Sequence, residues 1–201
     1  MTCLCLTRNR PEWLPKAVES FRLQTYPHRE LLILADGQDV RHLLPDDPRI
    51  RLIQLAGRPE IGPKRNYGCE RAVGDVIAHW DDDDYSAPGR LADQVERLLE
   101  SGKAVTGFHS MRFTDGIRWW QYEGTRNYAL GTSLCYQRIW WEAHPFSAVQ
   151  VGEDNQFVAE AHAAGELITA NAGVLMYATN HAGNTSPRKL GDNWKPLCTS
   201  R

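Results

Sequence analysis

The reading of this chain turns on the stretch Gly74-Asp75-Val76-Ile77-Ala78-His79-Trp80-Asp81-Asp82-Asp83-Asp84-Tyr85. Val76 to Trp80 is a short, mostly apolar run of the length of a buried strand. It ends abruptly in four consecutive carboxylates, Asp81 to Asp84. Like charges at one strand tip repel one another, so something must offset them. Solvent and a helix N-terminus do part of that work, and a divalent cation does more. Hard cations such as Mg²⁺ bind through one or two carboxylates together with substrate phosphates. In open α/β sheets, ligands sit beyond the carboxyl ends of the strands, which is where this cluster falls. The plainer alternative is an acidic turn that caps the following helix, because charge runs are usually solvated.

Upstream of that stretch, Thr2 to Leu6 reads as a strand and Thr7-Arg8-Asn9-Arg10 as the loop after it. Pro11 opens a helix whose apolar stripe is Leu14, Ala17, Val18 and Phe21. Leu31 to Ala35 is a second strand ending in Asp36-Gly37, and Ile50 to Leu55 is a third. Gly62-Pro63 starts a helix that carries Lys64, Arg65, Asn66 and Arg71. Downstream, Pro88 begins a helix with Leu91, Val95, Leu98 and Leu99 on one face, stopped by Gly102. Strand and helix alternate to this point, which predicts a parallel sheet built from βαβ units.

The pattern then changes. Ala104 to Phe113 and Ile117 to Tyr122 flank Thr114-Asp115-Gly116, an antiparallel excursion or hairpin. Ser133 to Tyr136 is read as a return to the main sheet. Gln156 to Ala164 is a helix closed by Gly165, and Leu167 to Thr169 and Val174 to Ala178 are short strands. From His181 onward the chain is polar and rich in turn formers, so a loop or mobile tail is expected. The fold expected is α/β: a mostly parallel central sheet flanked by helices, with a small antiparallel excursion in the second half. One domain over residues 1–201 is expected, without internal repeats.

Composition narrows the function classes. Hydrophobic residues make up 42% and charged residues 24%, as in ordinary globular proteins. With 23 basic against 25 acidic side chains the formal charge is −2, so no general nucleic-acid-binding field is implied. The five cysteines, Cys3, Cys5, Cys69, Cys135 and Cys198, form no paired CxxC elements, so a structural zinc is not expected. Buried free thiols in a reducing cytoplasm are the plain reading. Met1 leads directly into a strand, and no apolar run has membrane-spanning length. A cytoplasmic protein without a transmembrane segment is therefore expected.

The strand ends bring Thr7-Arg8-Asn9-Arg10, Asp36 and Asp81 to Asp84 to a common edge. That edge combines polar groups suited to a base and ribose with carboxylates suited to a metal. Lys64 and Arg65 at a helix start place cations near phosphates. No GxGxxG follows the first strand and no GxxxxGK[ST] occurs, which disfavours the dinucleotide and P-loop modes. A nucleotide held through a metal and strand-end carboxylates remains.

These residues resemble the family 2 glycosyltransferases of the GT-A fold. Thr7-Arg8-Asn9-Arg10-Pro11 looks like the family's opening nucleotide loop. Leu32-Ile33-Leu34-Ala35-Asp36-Gly37 resembles its second strand with a base-contacting aspartate. Lys64-Arg65-Asn66-Tyr67-Gly68 is similar to its Ala-Arg-Asn-x-Gly segment. Asp81 to Asp84 covers the Asp-x-Asp-Asp position, with Pro88 and Leu91 at the usual offsets. Gly152-Glu153-Asp154 looks like the glutamate-aspartate motif that opens a late helix. The resemblance spans residues 2 to about 180.

The resemblance implies a metal-dependent, inverting transfer from a nucleoside-diphosphate sugar to an acceptor hydroxyl. It implies Mn²⁺ or Mg²⁺ as cofactor, with a UDP-sugar the favoured donor and the acceptor unknown. Residues 1–102 become the donor half, 103–180 the acceptor half and 181–201 the tail. Asp83 is assigned to the metal, with Asp84 supporting and His181 beside them. Asp81 is assigned to the ribose or a metal-bound water, and the run of four leaves the register ambiguous by one position. Thr7, Asn9, Arg10, Asp36, Lys64, Arg65, Asp81 and Asp82 are the expected nucleotide contacts. Asp154 is the expected base, with Glu153 a poorer candidate.

Each assignment has a plain counterpart. Asp154 is also what the first turn of a helix favours, Arg65 a surface charge, Asp36-Gly37 a turn, and His181 a structural histidine. Trp119, Trp120, Trp140 and Trp141 are candidates for stacking on sugars, although core packing or a subunit interface is favoured for at least two of them. Ala35 replaces an acidic residue usual before Asp-Gly, so base recognition rests on Asp36. The Gln-x-x-Arg-Trp motif of processive synthases is missing, which predicts non-processive transfer. Two other classes compete: a non-catalytic nucleotide- or sugar-binding protein on the same fold, and a haloacid-dehalogenase-like phosphotransferase. The second places its Asp-x-Asp on the first strand, not the fourth.

Overall fold

The computed structural model describes residues 1–185 and 191–197. Among these described residues, eleven strands join in one mixed sheet flanked by five α-helices. The first half is strictly parallel. Strands β1 (Thr2–Thr7), β2 (Glu30–Asp36), β3 (Ile50–Leu55) and β4 (Val76–His79) lie in the order β3-β2-β1-β4. Strands β1 and β2 are buried on nearly every residue, as central strands covered on both faces must be.

Period-2 alternation sorts their side chains into two layers. Cys3, Cys5, Leu31 and Ile33 face one side, under Leu14, Ala17, Val18 and Phe21 of α1 (Leu14–Arg22) and Leu91 and Leu98 of the third helix, α3 (Arg90–Ser101). Leu4, Leu32 and Leu34 face the other, under Cys69 of α2 (Ile61–Arg71) and Phe157 and Val158 of the last helix. Cys3, Cys5, Cys69 and Cys135 are buried free thiols. Cys198 lies outside the described residues.

Past β4 the direction changes, as the sequence predicts. After a two-residue strand β5 (Tyr85–Ser86) and α3, the long β6 (Val105–Thr114) turns back into β7 (Trp119–Glu123). Strand β8 (Cys135–Gln137) runs antiparallel to both β4 and β6 and joins the two halves. A short α4 (Arg138–Ala143) and α5 (Glu153–Ala163) follow, then β9 (Leu167–Asn171) and β10 (Met176–Thr179), both parallel to β6.

Several boundaries differ from the sequence reading. The first helix opens at Leu14, because Pro11 to Trp13 form a turn closed by the Trp13 N–H on the Arg10 carbonyl at 3.2 Å. The third begins at Arg90 instead of Pro88, and its buried face is Arg90, Leu91, Gln94, Val95 and Leu98. Leu99, assigned to that face, is 78% exposed. The fifth helix starts at Glu153, three residues before the predicted Gln156, because Gly152 turns the chain at φ +81°. The segment after His181, read as a loop or tail, contains β11 (Trp194–Leu197) paired antiparallel with β7. Trp194 anchors it by packing on Phe113 and Tyr122 at 4.6 and 5.2 Å between ring centroids. Residues 186–190 and 198–201 of that predicted tail lie outside the described residues. Among the described residues, no helix is long and apolar enough to cross a membrane.

Candidate active site

The loops after β1, β2 and β4 meet at the carboxyl edge of the parallel strands, opposite the start of α5. Between them lies a cleft of about 780 Å³. Its floor is organised by the four aspartates, which the backbone separates into different jobs. Asp82 turns under the floor and is 1% exposed. It accepts from Thr7 Oγ1 at 2.6 Å and from Arg10 Nη2 at 2.5 Å. Burial pushes its pKa up to about 7 against the pull of Arg10, with the charges of Asp83 and Asp81 adding to the rise.

Asp81, Asp83 and Asp84 face the cleft instead, each offering one oxygen within 4.8 Å of the others. Asp83 Oδ2 accepts from Arg10 Nη1 at 2.6 Å, from His181 Nε2 at 2.9 Å and from Asn184 Nδ2 at 3.2 Å. His181 is held in place by stacking on Trp13, ring centroids 4.6 Å apart. Asp84 accepts from the Thr132 hydroxyl and from the Thr179 N–H at 2.9 Å. Burial, then the neighbouring Asp83 and Asp81, raise its pKa to about 8. Such crowding favours a cation, since bound positive charge stabilises the ionised form of each carboxylate. The donor set, all hard oxygen with an imidazole beside it, fits Mn²⁺ or Mg²⁺.

Cations fill the adjoining wall. Lys64, 4% exposed, forms an ion pair with Asp36 and donates to the Thr7 carbonyl at 3.0 Å. Burial lowers the Lys64 pKa, and Asp36 works against that fall. Arg8 lies 3.8 Å from the second oxygen of Asp36. Asn9, at φ 50°, uses its side-chain oxygen to accept from the Gln38 N–H at 3.0 Å. A Cβ at Gly37 would stand 2.1 Å from that oxygen, so the glycine lets the two loops lock together. Asn9 thus shapes the rim as a structural clamp.

Also lining the cleft, Arg65 Nε donates to Glu153 Oε1 at 2.9 Å, with both side chains buried. Its Nη1 is buried without a hydrogen-bond partner. Burial works to lower the Arg65 pKa, but Glu153, Asp81 and Asp154 outweigh it and hold the group above its ordinary value. Asp154 lies beside this pair. Burial and the Glu153 charge raise its pKa to about 6, while Arg65 pulls it down. A carboxyl poised near neutrality is suited to accept a proton.

Of the residues singled out from sequence, Thr7, Asn9, Arg10, Asp36, Lys64, Arg65, Asp81, Asp83, Asp84 and Asp154 line the cleft. Asp82 and His181 support it from behind through Thr7, Arg10 and Asp83. None of the four paired tryptophans lines it. Trp120 and Trp141 are buried, and Trp141 Nε1 donates to Asn66 at 2.9 Å. The sequence reading missed Gly131 and Thr132, which meet Asp154 and Asp84 in the cleft. Leu130-Gly131-Thr132-Ser133 carries no signal beyond that of a turn.

The family model for glycosyl transferase family 2 matches residues 3–153. The chain belongs to this family. An uncharacterized glycosyltransferase of Rickettsia felis is 27% identical over 128 residues, covering 54% of this chain and 21% of the relative. The O-antigen biosynthesis glycosyltransferase WbnJ of Escherichia coli is 31% identical over 101 residues, 45% of this chain and 38% of WbnJ. The chain therefore spans less than half of the length of either curated relative. Among solved structures, S. aureus TarS in complex with UDP-GlcNAc superposes with a TM-score of 0.74 at 18% identity, covering 92% of this chain and 59% of TarS. The mannosyltransferase PcManGT of Pyrobaculum calidifontis, in complex with GDP-Man and Mn²⁺, gives 0.70 at 17% identity, over 89% of this chain and 56% of its own. At that identity the likeness establishes the GT-A-like fold. Membership of family 2 also sets aside the phosphotransferase alternative.

Proposed function

We propose that this family 2 chain transfers a glycosyl unit from a nucleoside-diphosphate sugar to an acceptor hydroxyl, one unit at a time and with inversion. The observation that carries the proposal is the cleft itself. Three clustered carboxylates, Asp81, Asp83 and Asp84, share it with a separate carboxyl of pKa about 6, Asp154. The first set suits the charge of a diphosphate leaving group with its cation, and the second suits deprotonation of an incoming hydroxyl.

Asp83 is the principal metal residue of the proposal, with Asp84 and His181 beside it and Asp81 toward the ribose. These residues would hold a divalent cation, which would supply positive charge against that developing on the departing diphosphate. Thr7, Asn9, Arg10, Asp36 and Lys64 form the nucleotide wall. Asp82 acts through Thr7 and Arg10, which it holds by hydrogen bonds. Asp154 takes the acceptor proton, and Arg65 with Glu153 sets its charge. A UDP-sugar is the favoured donor, consistent with TarS and its UDP-GlcNAc, while PcManGT with GDP-Man makes a guanosine donor the comparison to run.

Thermal shift with nucleoside diphosphates tests the donor half. A ligand at a hundred times its Kd stabilises by about 2.7 kcal/mol. UDP with Mn²⁺ should raise the melting temperature of the wild type and leave Asp83→Ala unshifted, although the variant melts as a folded protein. Equal shifts in both would remove Asp83 from the metal site. The non-catalytic alternative predicts the same shift in the wild type without any release of UDP from UDP-sugar.

A further inference from the structure

Gly131 opens a single 3-10 turn, Gly131–Ser133, at the back of the cleft. Its φ lies outside the left-handed region, so the backbone does not require glycine there. Space does. A Cβ at Gly131 would stand 1.7 Å from Asp154 Oδ2 and 2.6 Å from its Cγ. The volume a side chain would fill is already occupied by the Asp154 carboxylate.

The turn is held from several elements. His79 Nδ1, on β4, donates to the Gly131 carbonyl at 2.6 Å. From α3, Arg90 Nη2 donates to the Thr132 carbonyl at 3.4 Å and Gln94 Nε2 to the Ser133 carbonyl at 2.7 Å. Ser133 Oγ donates to the Leu130 carbonyl at 2.7 Å and accepts from the Phe108 N–H at 2.8 Å. Arg90 is fully buried and has no carboxylate partner among the described residues. Its remaining bonds go to the His79 carbonyl at 2.9 Å, Ser86 Oγ at 2.8 Å and Gln94 Oε1 at 3.1 Å. A buried cation satisfied wholly by neutral oxygens is a costly arrangement, and here it braces one turn. From that same turn, Thr132 Oγ1 donates to Asp84.

We propose that the Gly131–Ser133 turn is a positioning element for glycosyl transfer. The bare Cα of Gly131 defines the slot in which the Asp154 carboxylate lies, and the hydroxyl of the next residue, Thr132, fixes Asp84. One braced turn thereby sets the spacing between the base and the metal-side carboxylates. The inference rests on the assignment of Asp154 as the base. A displacement of about 1 Å at a reacting group costs on the order of 10²-fold in rate.

The test is Gly131→Ala, alone and combined with Asp154→Ala, alongside Asp154→Asn. The obstructed atoms are the far end of a flexible side chain, so the single variant should fold with the carboxylate rotated out of its slot. Expected is a kcat for UDP release from UDP-sugar about 10²-fold below wild type, with KM for that donor and calorimetric affinity for UDP plus Mn²⁺ unchanged. In the Asp154→Ala background, adding Gly131→Ala should cost nothing further in rate or melting temperature. Should Gly131→Ala fail to fold while the double variant folds, the clash with Asp154 is confirmed. Failure of both to fold, or equal losses in both backgrounds, would overturn the positioning role. So would wild-type kcat in Gly131→Ala beside an inactive Asp154→Asn. Wild-type turnover in Asp154→Asn itself would instead remove the base, and the proposal with it.

Discussion

Asp154 owes its behaviour to three neighbours that titrate or carry charge: Glu153 and Asp81, which raise its pKa, and Arg65, which lowers it. Burial adds the largest upward push and leaves the value at about 6. A base must be ionised to act, so kcat/KM should rise along an acid limb centred near pH 6. Arg65→Gln removes the cation that favours the carboxylate, so the limb should move to higher pH. A pH–rate profile of both proteins checks this, and an unmoved limb would detach Arg65 from the base. At this scale the sequence was partly legible. The residue types were readable at Asp36, Lys64, Asp83 and Asp154, but the partners were not. Nothing in the order Asp81-Asp82-Asp83-Asp84 says that Asp82 turns beneath the floor to Thr7 and Arg10. Nor does Lys64-Arg65 say that each cation meets its own carboxylate, Asp36 and Glu153.

Helix α3 shows how an element can be read correctly in outline and wrongly in phase. Leu91, Val95 and Leu98 are buried as predicted, but the face is centred on Arg90 and Gln94, leaving Leu99 in solvent. Leucine count pointed one way, and the polar network behind the 131–133 turn pulled the helix the other. Leu91→Ala should therefore cost about 2–5 kcal/mol, as for a fully buried leucine. Leu99→Ala should stay within about 0.5 kcal/mol, as exposed substitutions do. Urea denaturation of the two variants decides between the observed phase and the predicted one. The elements that escaped the sequence reading were short or locally unfavourable. Strand β5 has two residues, too few for any period, and β11 contains Pro196 within a polar stretch. Its pairing with β7 comes from tertiary contacts of Trp194, which no local pattern announces.

For the whole molecule, the acidic cleft should appear in the pH dependence of stability. Asp82 and Asp84 have folded pKa values of about 7 and 8, well above the ordinary carboxylate value of about 3.9. Between those limits the folded state binds more protons than the unfolded one, so stability falls as pH rises through the folded values. His79 and His109, both lowered by burial, act oppositely, and their contribution is lost as pH falls below about 6.5. Melting temperature without divalent cations should therefore decline from about pH 6.5 to about pH 8.5, and Mn²⁺ should recover it at the upper end. A flat profile there would contradict the buried, crowded carboxylates.

The parallel half of the fold was legible because β1, β2 and β4 are largely apolar runs ending in polar or turn residues, and their strand ends dictate where ligands go. What joins the halves is the return of β8 between β4 and β6, and the turn just before it meets Asp154 at Gly131 and Asp84 at Thr132. The central claim is that these carboxylates divide the work, Asp81, Asp83 and Asp84 serving donor and metal and Asp154 serving proton transfer. Asp154→Asn keeps the shape and polarity of the side chain but cannot accept the proton. Its turnover and its affinity for UDP with Mn²⁺, measured side by side with wild type, test the division most directly. Turnover should fall by about 10²–10⁴-fold while the affinity holds; turnover near wild type, or loss of nucleotide binding along with it, would contradict the account.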